Sequence, residues 1–555
     1  MASPFNAPDE FVQGFAKAGQ AFWLNLVKQP ELASLLQHRL LQLPALWGGL
    51  AGSGQDPRAE AGPGDRRFRG EEWRGQPAYG WLKQLYLLNA GLLEDMAESA
   101  QLDPKDKRKL RFFTRQLIDL FSPANFGLTN PEAIKLAVSS QGRSVQAGLA
   151  NLAADLARGR ISITDETAFE VGRNVAVSKG SVVFENELFQ LIQYAPLTPQ
   201  VARRPLLIVP PCINKFYVLD LQPENSFVRF ACTQGQTVFL VSWRNPQADL
   251  GHATWDDYVR DGAMKAQEVA RAISGADKVN AVGWCVGGTI LSCAVALLRA
   301  RGDKSVGSLT LLTTMLDFED PGDLGVFIDE QNVARREATI GRGGLYSGAE
   351  LGFVFQALRA NDLIWPYVVD NYLKGKSPEA FDLLYWNADT TNLPGPMYAW
   401  YLRNMYLENN LCVPGRLAVC GEPVDLGDID VPCYVLATQE DHIVPWRSAY
   451  RTTQLVAGKP QFVLGASGHI AGVVNPASKN RRSFWTGGVQ GGDAEQWLAT
   501  AQSRPGSWWL HWIDWLNRHA GRPVPARTRL GNANYRPIEP APGSYVKVRA
   551  ASPRG

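Results

Sequence analysis

The chain has 555 residues, 45% of them hydrophobic and 20% charged, with a formal net charge of +2. This is the composition of an ordinary globular protein with ample apolar material for a core, and the length accommodates a large α/β domain with a smaller partner. The near-neutral balance leaves no electrostatic footprint for nucleic acid, which is excluded as a partner.

In chain order, the first 50 residues carry apolar positions at helical spacing, at Phe15, Phe22, Trp23, Leu26 and Val27, and predict helix. Residues 51–70 (AGSGQDPRAEAGPGDRRFRG) predict a flexible surface loop rich in Gly, Pro and Arg. Helical patterns resume from about Trp81 to Arg158, broken at Ser122-Pro123 and Asn130-Pro131. Residues 1–170 are therefore expected to form a mainly α-helical N-terminal domain.

The pattern changes at 174–186 (NVAVSKGSVVFEN), which reads as two short strands with Lys179-Gly180 at the turn. Short apolar runs then alternate with helical stretches. The runs are 206–209, 237–241, 279–282, 309–312, 433–436 and 462–464. Continuous apolar strands alternating with helices predict a mostly parallel sheet covered on both faces, the mark of an α/β domain over 171–555. Between the fourth and fifth runs lies a long helical and aromatic insertion, about 317–430, too long for a plain crossover and placed to cap a site. The Pro-rich tail from about 521 is expected to wrap the surface.

Of the 17 tryptophans, a cluster lies near the C-terminus, at Trp508, Trp509, Trp512 and Trp515. Core packing is the plainer reading, since aromatic rings carry large burial energy; contact with an apolar polymer surface is the other. Seven cysteines with no paired spacing argue against a disulfide scaffold, and the lack of Cys-x-x-Cys with six scattered histidines argues against a metal site. No signal peptide pattern opens the sequence and no apolar run is long enough to span a bilayer, so a reducing cytoplasmic location is expected.

Residues 279–290 (VNAVGWCVGGTI) are the most informative segment. A strand runs into Gly-x-Cys-x-Gly and then into an apolar helix, the context of the nucleophile elbow of the α/β-hydrolase fold, with Cys285 in place of Ser. Gly283 and Gly287 permit the close approach of strand and helix. The helix N-terminus favours negative charge on the sulfur, and the backbone N–H of Val286 is an expected oxyanion donor. The alternative is a merely buried cysteine in a glycine-containing turn.

On this fold the acid and the histidine follow the nucleophile in that order. Asp441 lies just beyond the 433–436 strand, and His469 lies in the glycine-rich loop after 462–464. All three candidates thus fall at C-terminal strand ends, where open α/β sheets bind ligands. His442 is the rival base and Glu440 the rival acid. The loop Pro210-Pro211-Cys212-Ile213-Asn214-Lys215 is expected to supply the second oxyanion donor, from the N–H of Cys212 or Ile213. Cys212 also reads as a second thiol, or more plainly as a small residue lining the site. Ala471 reads as an acyl-pocket residue or as packing.

The segments GWCVGGT (283–289), LLTTMLDF (311–318), EDHIVPW (440–446), GASGHIAGVVNP (465–476) and PPCINKFYVLDLQP (210–223) together resemble the motifs of polyhydroxyalkanoate synthases. FLVSWRNP (239–246), NYLKGKSPEAFDLLYWNADTTNLPGPM (371–397) and IEPAPGSYVK (538–547) extend the resemblance over about 170–550, and it is closest to the class I, single-subunit type. The resemblance implies an acyltransferase that polymerises (R)-3-hydroxyacyl-CoA, such as 3-hydroxybutyryl-CoA, into polyester. Coenzyme A is then released through a covalent thioester on Cys285, with Asp441 and His469 on the family's catalytic positions. It implies no cofactor, the CoA thioester being substrate and CoA product. It further implies a homodimer carrying its growing chain at the surface of cytoplasmic polyester granules, with granule-associated proteins as neighbours and the insertion as a gating cap. Two other readings stand beside it: an ester or thioester hydrolase on the same scaffold, and a non-catalytic granule coat protein.

Overall fold

The computed structural model describes residues 8–26 and 65–550, and the chain divides into two compact units. One comprises 1–165 with 350–381, the other 166–349 with 382–551. The first break falls between Asp165 and Glu166, and residues 350–381, part of the expected cap, cluster with the N-terminal helices. Val27 and the expected loop over 51–64 lie outside the described residues.

The first unit contains helices Asp9–Leu26, Pro77–Ser99, Pro104–Leu120, Pro131–Ser139 and Arg143–Arg158. Their boundaries follow from local chemistry. The Asp103 carboxylate accepts the N–H groups of Lys105 and Asp106 at 3.0 and 3.2 Å, and Pro104 fills the first turn, where no amide donor is needed. Asn130 and Pro131 repeat the device, with the Asn130 side chain accepting from Ala133 at 3.0 Å. Phe113 is buried against Phe11 and Phe15, at centroid separations of 5.7 and 6.1 Å. Residues 350–381 join this unit through polar ties the sequence pattern does not display. Tyr372 donates to Asp155 at 2.7 Å, and Asn151 donates to the carbonyls of Asn371 and Lys376 at 3.0 and 2.9 Å.

The second unit is built on an 11-stranded sheet. In chain order its strands are β1 (Gly180–Glu185), β2 (Phe189–Tyr194), β3 (Leu206–Val209), β4 (Val238–Trp243), β5 (Val279–Trp284) and β6 (Val306–Leu312). They continue with β7 (Cys433–Thr438), β8 (Pro460–Gly465), β9 (Ser483–Thr486), β10 (Gln502–Pro505) and β11 (Glu539–Pro540). The spatial order is β10-β9-β8-β7-β6-β5-β3-β4-β2-β1-β11. The six central strands, β8 through β4 in that order, pair in parallel, and antiparallel strands finish both edges. The six apolar runs of the sequence are these six strands, buried on both faces as a parallel sheet requires.

Two expectations are corrected. The segment before Gly180 is not the partner of β1. Ala176 adopts a left-handed φ of 56°, and its N–H bonds the Asp220 carbonyl at 2.8 Å, so the chain turns away before a hairpin can form. Instead β1 pairs with β2 across a turn in which the Asn186 side chain accepts the N–H groups of Leu188 and Phe189, both at 3.0 Å. The tail does more than wrap the surface, because β11 extends the sheet beside β1 and Pro523–Pro525 pairs with Gln200–Ala202.

The clustered tryptophans are core. Helix Trp508–Asn517 buries Trp508, Trp509, Trp512 and Trp515, which settles the alternatives in favour of packing. Three of their indole N–H groups are satisfied: Trp508 and Trp509 donate to the Gly472 and Val473 carbonyls at 3.0 and 2.9 Å, and Trp512 to the Thr310 hydroxyl at 3.1 Å. The helix thereby braces the loop that follows β8. Among the described residues, no helix is long and apolar enough to cross a membrane.

Candidate active site

Three loops leave the C-terminal ends of β5, β7 and β8, and each carries one candidate residue. Cys285 follows β5 directly and precedes helix Val286–Ala300, with φ 51° and ψ −131°. A non-glycine residue with this backbone is strained by roughly 1–3 kcal/mol, and persists only where the surroundings fix it. They do so here. The Cys285 N–H donates to the Leu312 carbonyl at 3.0 Å and its carbonyl accepts from Gly288 at 2.8 Å. The glycines of the motif are required by space. A Cβ on Gly283 would lie 2.4 Å from the Gly288 Cα, and one on Gly287 would lie 2.4 Å from the Pro210 carbonyl oxygen.

His469 is buried in the loop after β8, and its Nδ1 lies 2.6 Å from Asp441 Oδ2. The other carboxylate oxygen, Oδ1, accepts the N–H groups of Ile443 and Val444, both at 2.9 Å. Asp441 is thereby locked in one orientation, and it locks the ring. The imidazole also lies close enough to Cys285 to respond to charge on its sulfur. Burial by itself lowers the affinity of the ring for a proton. The Asp441 carboxylate and negative charge on Cys285 outweigh it, so the pKa is raised above the usual histidine range. The structure therefore brings together Cys285, His469 and Asp441. Of the two rivals, Glu440 is exposed and His442 half-buried, and the hydrogen-bonded acid–imidazole pair is Asp441 with His469.

Val286 is the first residue of the helix after the elbow. Cys212 and Ile213 lie just beyond β3, in a loop held from outside itself. The Trp243 indole N–H donates to the Pro210 carbonyl at 2.8 Å. The Thr391 hydroxyl bonds the carbonyls of Cys212 and Ile213 at 2.8 and 2.6 Å. Lys215 is buried with its ammonium 2.9 Å from Asp389, whose other oxygen accepts from Tyr217 at 3.0 Å. Burial lowers the Lys215 pKa and the Asp389 charge opposes that shift. The Cys212 thiol is pushed up to about 12 by burial, with the nearby Cys285 charge adding to it. A thiol so disposed to stay protonated favours the plainer reading of a small lining residue.

Sequence reasoning did not find the aromatic wall. Tyr401, Tyr406 and Phe318 pack edge to face, with Tyr401–Tyr406 centroids 5.3 Å apart and Phe318–Tyr406 5.0 Å apart. Burial, reinforced by the charge of Cys285, raises the pKa of both tyrosine hydroxyls, so neutral phenols stand near the sulfur. The aromatic richness of the insertion was the available signal, but spacing alone does not say which rings turn toward Cys285. Among the described residues, no cluster of His, Cys, Asp and Glu is arranged to hold a metal ion.

A family model described as the N-terminus of poly-beta-hydroxybutyrate polymerase (PhaC) matches residues 64–231, and one described as the alpha/beta hydrolase fold matches residues 205–476. The chain is similar to the poly(3-hydroxyalkanoate) polymerase subunit PhaC of Cupriavidus necator, 56% identical over 527 residues that cover 94% of this chain and 89% of the relative. The corresponding subunit of Rhizobium meliloti is 44% identical over 506 residues, covering 90% and 82%. The poly(3-hydroxyalkanoate) polymerase of Methylorubrum extorquens is 41% identical over 553 residues, covering 98% and 90%. The fold of the second unit is that of an α/β hydrolase, as its elbow and parallel strands predict.

Proposed function

This chain belongs to the poly(3-hydroxyalkanoate) polymerase family and is an enzyme of polyester synthesis, and from that premise we propose that it polymerises (R)-3-hydroxyacyl-CoA through a covalent thioester on Cys285. The observation that carries this reading is the buried His469, paired at 2.6 Å with Asp441 and close enough to Cys285 to respond to charge on its sulfur.

His469 takes the proton of Cys285, and the sulfur attacks the thioester carbon of the substrate. The raised proton affinity of the ring suits it to take that proton. As the new carbon–sulfur bond forms, negative charge moves to the carbonyl oxygen. The N–H of Val286 and an N–H of the Cys212–Ile213 loop receive it. Collapse breaks the bond to coenzyme A, whose sulfur leaves with the proton from His469. The acyl group now sits on Cys285 as another thioester, so no activation is lost. A 3-hydroxyl group then attacks it, with His469 accepting the proton. An ester forms and the Cys285 sulfur is released. The ester is more stable than the thioester it replaces, which drives elongation; a serine would store the acyl group as an ester and forfeit that driving force.

Water competes with the hydroxyl at this second step. The aromatic cluster of buried Phe318 and Tyr401 with half-buried Tyr406 supports a site that excludes it, and the insertion around it supports a gating cap. No cofactor is needed, since CoA is carried in by the substrate and leaves as product. The family resemblance supports a homodimer at the surface of cytoplasmic polyester granules, beside other granule-associated proteins. Incubation with 3-hydroxybutyryl-CoA tests the reading: CoA release should accompany insoluble polymer, followed by turbidity. Free 3-hydroxybutyrate without turbidity would mean a thioesterase instead.

A further inference from the structure

The loop expected to complete the oxyanion site has no internal structure to hold its shape. It contains no helix and only an isolated bridge, between Asn214 and Thr390. A peptide plane in such a loop turns easily, and turning it exchanges a donor for an acceptor. Two of its planes are nevertheless held from Thr391, whose single hydroxyl proton is shared between two carbonyls and whose backbone N–H also reaches the Ile213 carbonyl at 3.4 Å. Thr391 Oγ1 lies 2.8 Å from the Cys212 carbonyl and 2.6 Å from the Ile213 carbonyl. In a trans peptide the N–H points opposite to the C=O of the same plane. Holding those carbonyls on Thr391 therefore fixes the N–H groups of Ile213 and Asn214 on the far side of their planes.

Thr391 is itself anchored. It is buried, and the next residue, Asn392, donates its N–H to the Asn245 side chain at 2.9 Å and its amide to the Pro246 carbonyl at 3.1 Å. Asn245 and Pro246 lie just beyond β4, the strand that also supplies Trp243 to the Pro210 carbonyl. The hydroxyl thus reaches the loop from a fixed base.

We propose that Thr391 is a positioning residue for the acyl-transfer step, its hydroxyl holding the Cys212–Asn214 backbone with its donors available to the developing oxyanion. The proposal rests on the acyltransferase reading given above. It assigns to the segment 389–392 of the insertion a part in shaping the site itself, beyond covering it.

The test separates the hydroxyl from the shape of the side chain and acyl transfer from thiol reactivity. Thr391→Val keeps the volume and removes the donor, Thr391→Ser keeps the donor, and Thr391→Ala stands in should the valine variant not fold. The full chain is assayed for single-turnover release of CoA from 3-hydroxybutyryl-CoA and, separately, for alkylation of Cys285 by iodoacetamide, which forms no oxyanion. Thr391→Val should slow CoA release by about 10- to 100-fold, short of the complete loss of a donor, with alkylation within twofold of the parent and the serine variant near parental in both. The proposal is overturned if valine leaves CoA release within twofold, if alkylation falls in step with it, or if serine fails to rescue. A parent chain that alkylates but releases no CoA from the thioester overturns the acyltransferase reading first, and this one with it.

Discussion

The elbow around Cys285 and the loop after β3 flank the same reaction, yet they reach their shapes by opposite means. The elbow is built from neighbours in sequence. Two glycines, a strand and a helix set the turn at Cys285, and the Leu312 carbonyl that accepts its N–H completes the restraint. The β3 loop takes its restraint from Trp243, Asp389 and Thr391, which lie 33, 174 and 179 positions or so along the chain. Local strain gives a rigid nucleophile that a short motif can encode. Remote clamps tie the second half of the site to the insertion, so that mutations far from the sulfur in sequence should reach the chemistry.

The strongest break of this comparison lies at the nucleophile. Cys285→Ala should abolish both CoA release and polymer, while Cys285→Gly should abolish them and raise stability by about 1 kcal/mol as the strain is relieved, read by urea unfolding. Substantial polymer from either variant would end the mechanism. Next is the contact between the two halves. Gly287→Ala places a Cβ 2.4 Å from the Pro210 oxygen, so elbow and loop must separate. Acylation should fall by roughly 100-fold, the cost of a displaced oxyanion donor, in single-turnover CoA release.

On the clamped side, Lys215→Met leaves the buried Asp389 carboxylate without its cation. Stability should fall by about 3–5 kcal/mol, and pairing it with Asp389→Leu should recover most of that in the same unfolding experiment. A single variant as stable as the parent would remove the ion pair from the account of the loop. The smallest effect sharpens the electrostatics of the elbow. Asp441→Asn removes the carboxylate that holds the His469 pKa up, so the imidazolium is lost at lower pH and the thiolate loses its partner. The pH midpoint of Cys285 alkylation should then move upward, by about one unit or more. A midpoint that stayed in place would show that Asp441 only orients the ring.

Much was legible before the structure. Val279 through Ile290 announced strand, elbow and helix because each of those elements follows from residues beside it. The helix starts at Asp103-Pro104 and Asn130-Pro131 are likewise local, a capping side chain next to a proline. Strand β2 (FQLIQY) escaped the sequence reading because Gln190 and Gln193 interrupt its apolar run. Both are buried, and Gln190 is satisfied by Glu539 at 2.7 Å, a partner 349 residues away. The false hairpin at 174–186 arose from the same blindness, since the Asp220 carbonyl that diverts Ala176 is distant in the chain.

The sequence by itself determined the strand–turn–helix that holds Cys285, the places of Asp441 and His469 beyond later strands, and the six parallel strands that carry them. Each rests on periodicity or on a backbone constraint that neighbouring residues impose. Only the tertiary structure decided which rings wall the sulfur, that 350–381 joins the N-terminal helices, and what holds the loop from Pro210 to Lys215. Those choices are made by burial and by hydrogen bonds between residues far apart in the chain, and such pairings leave no period or motif for a linear reading to find.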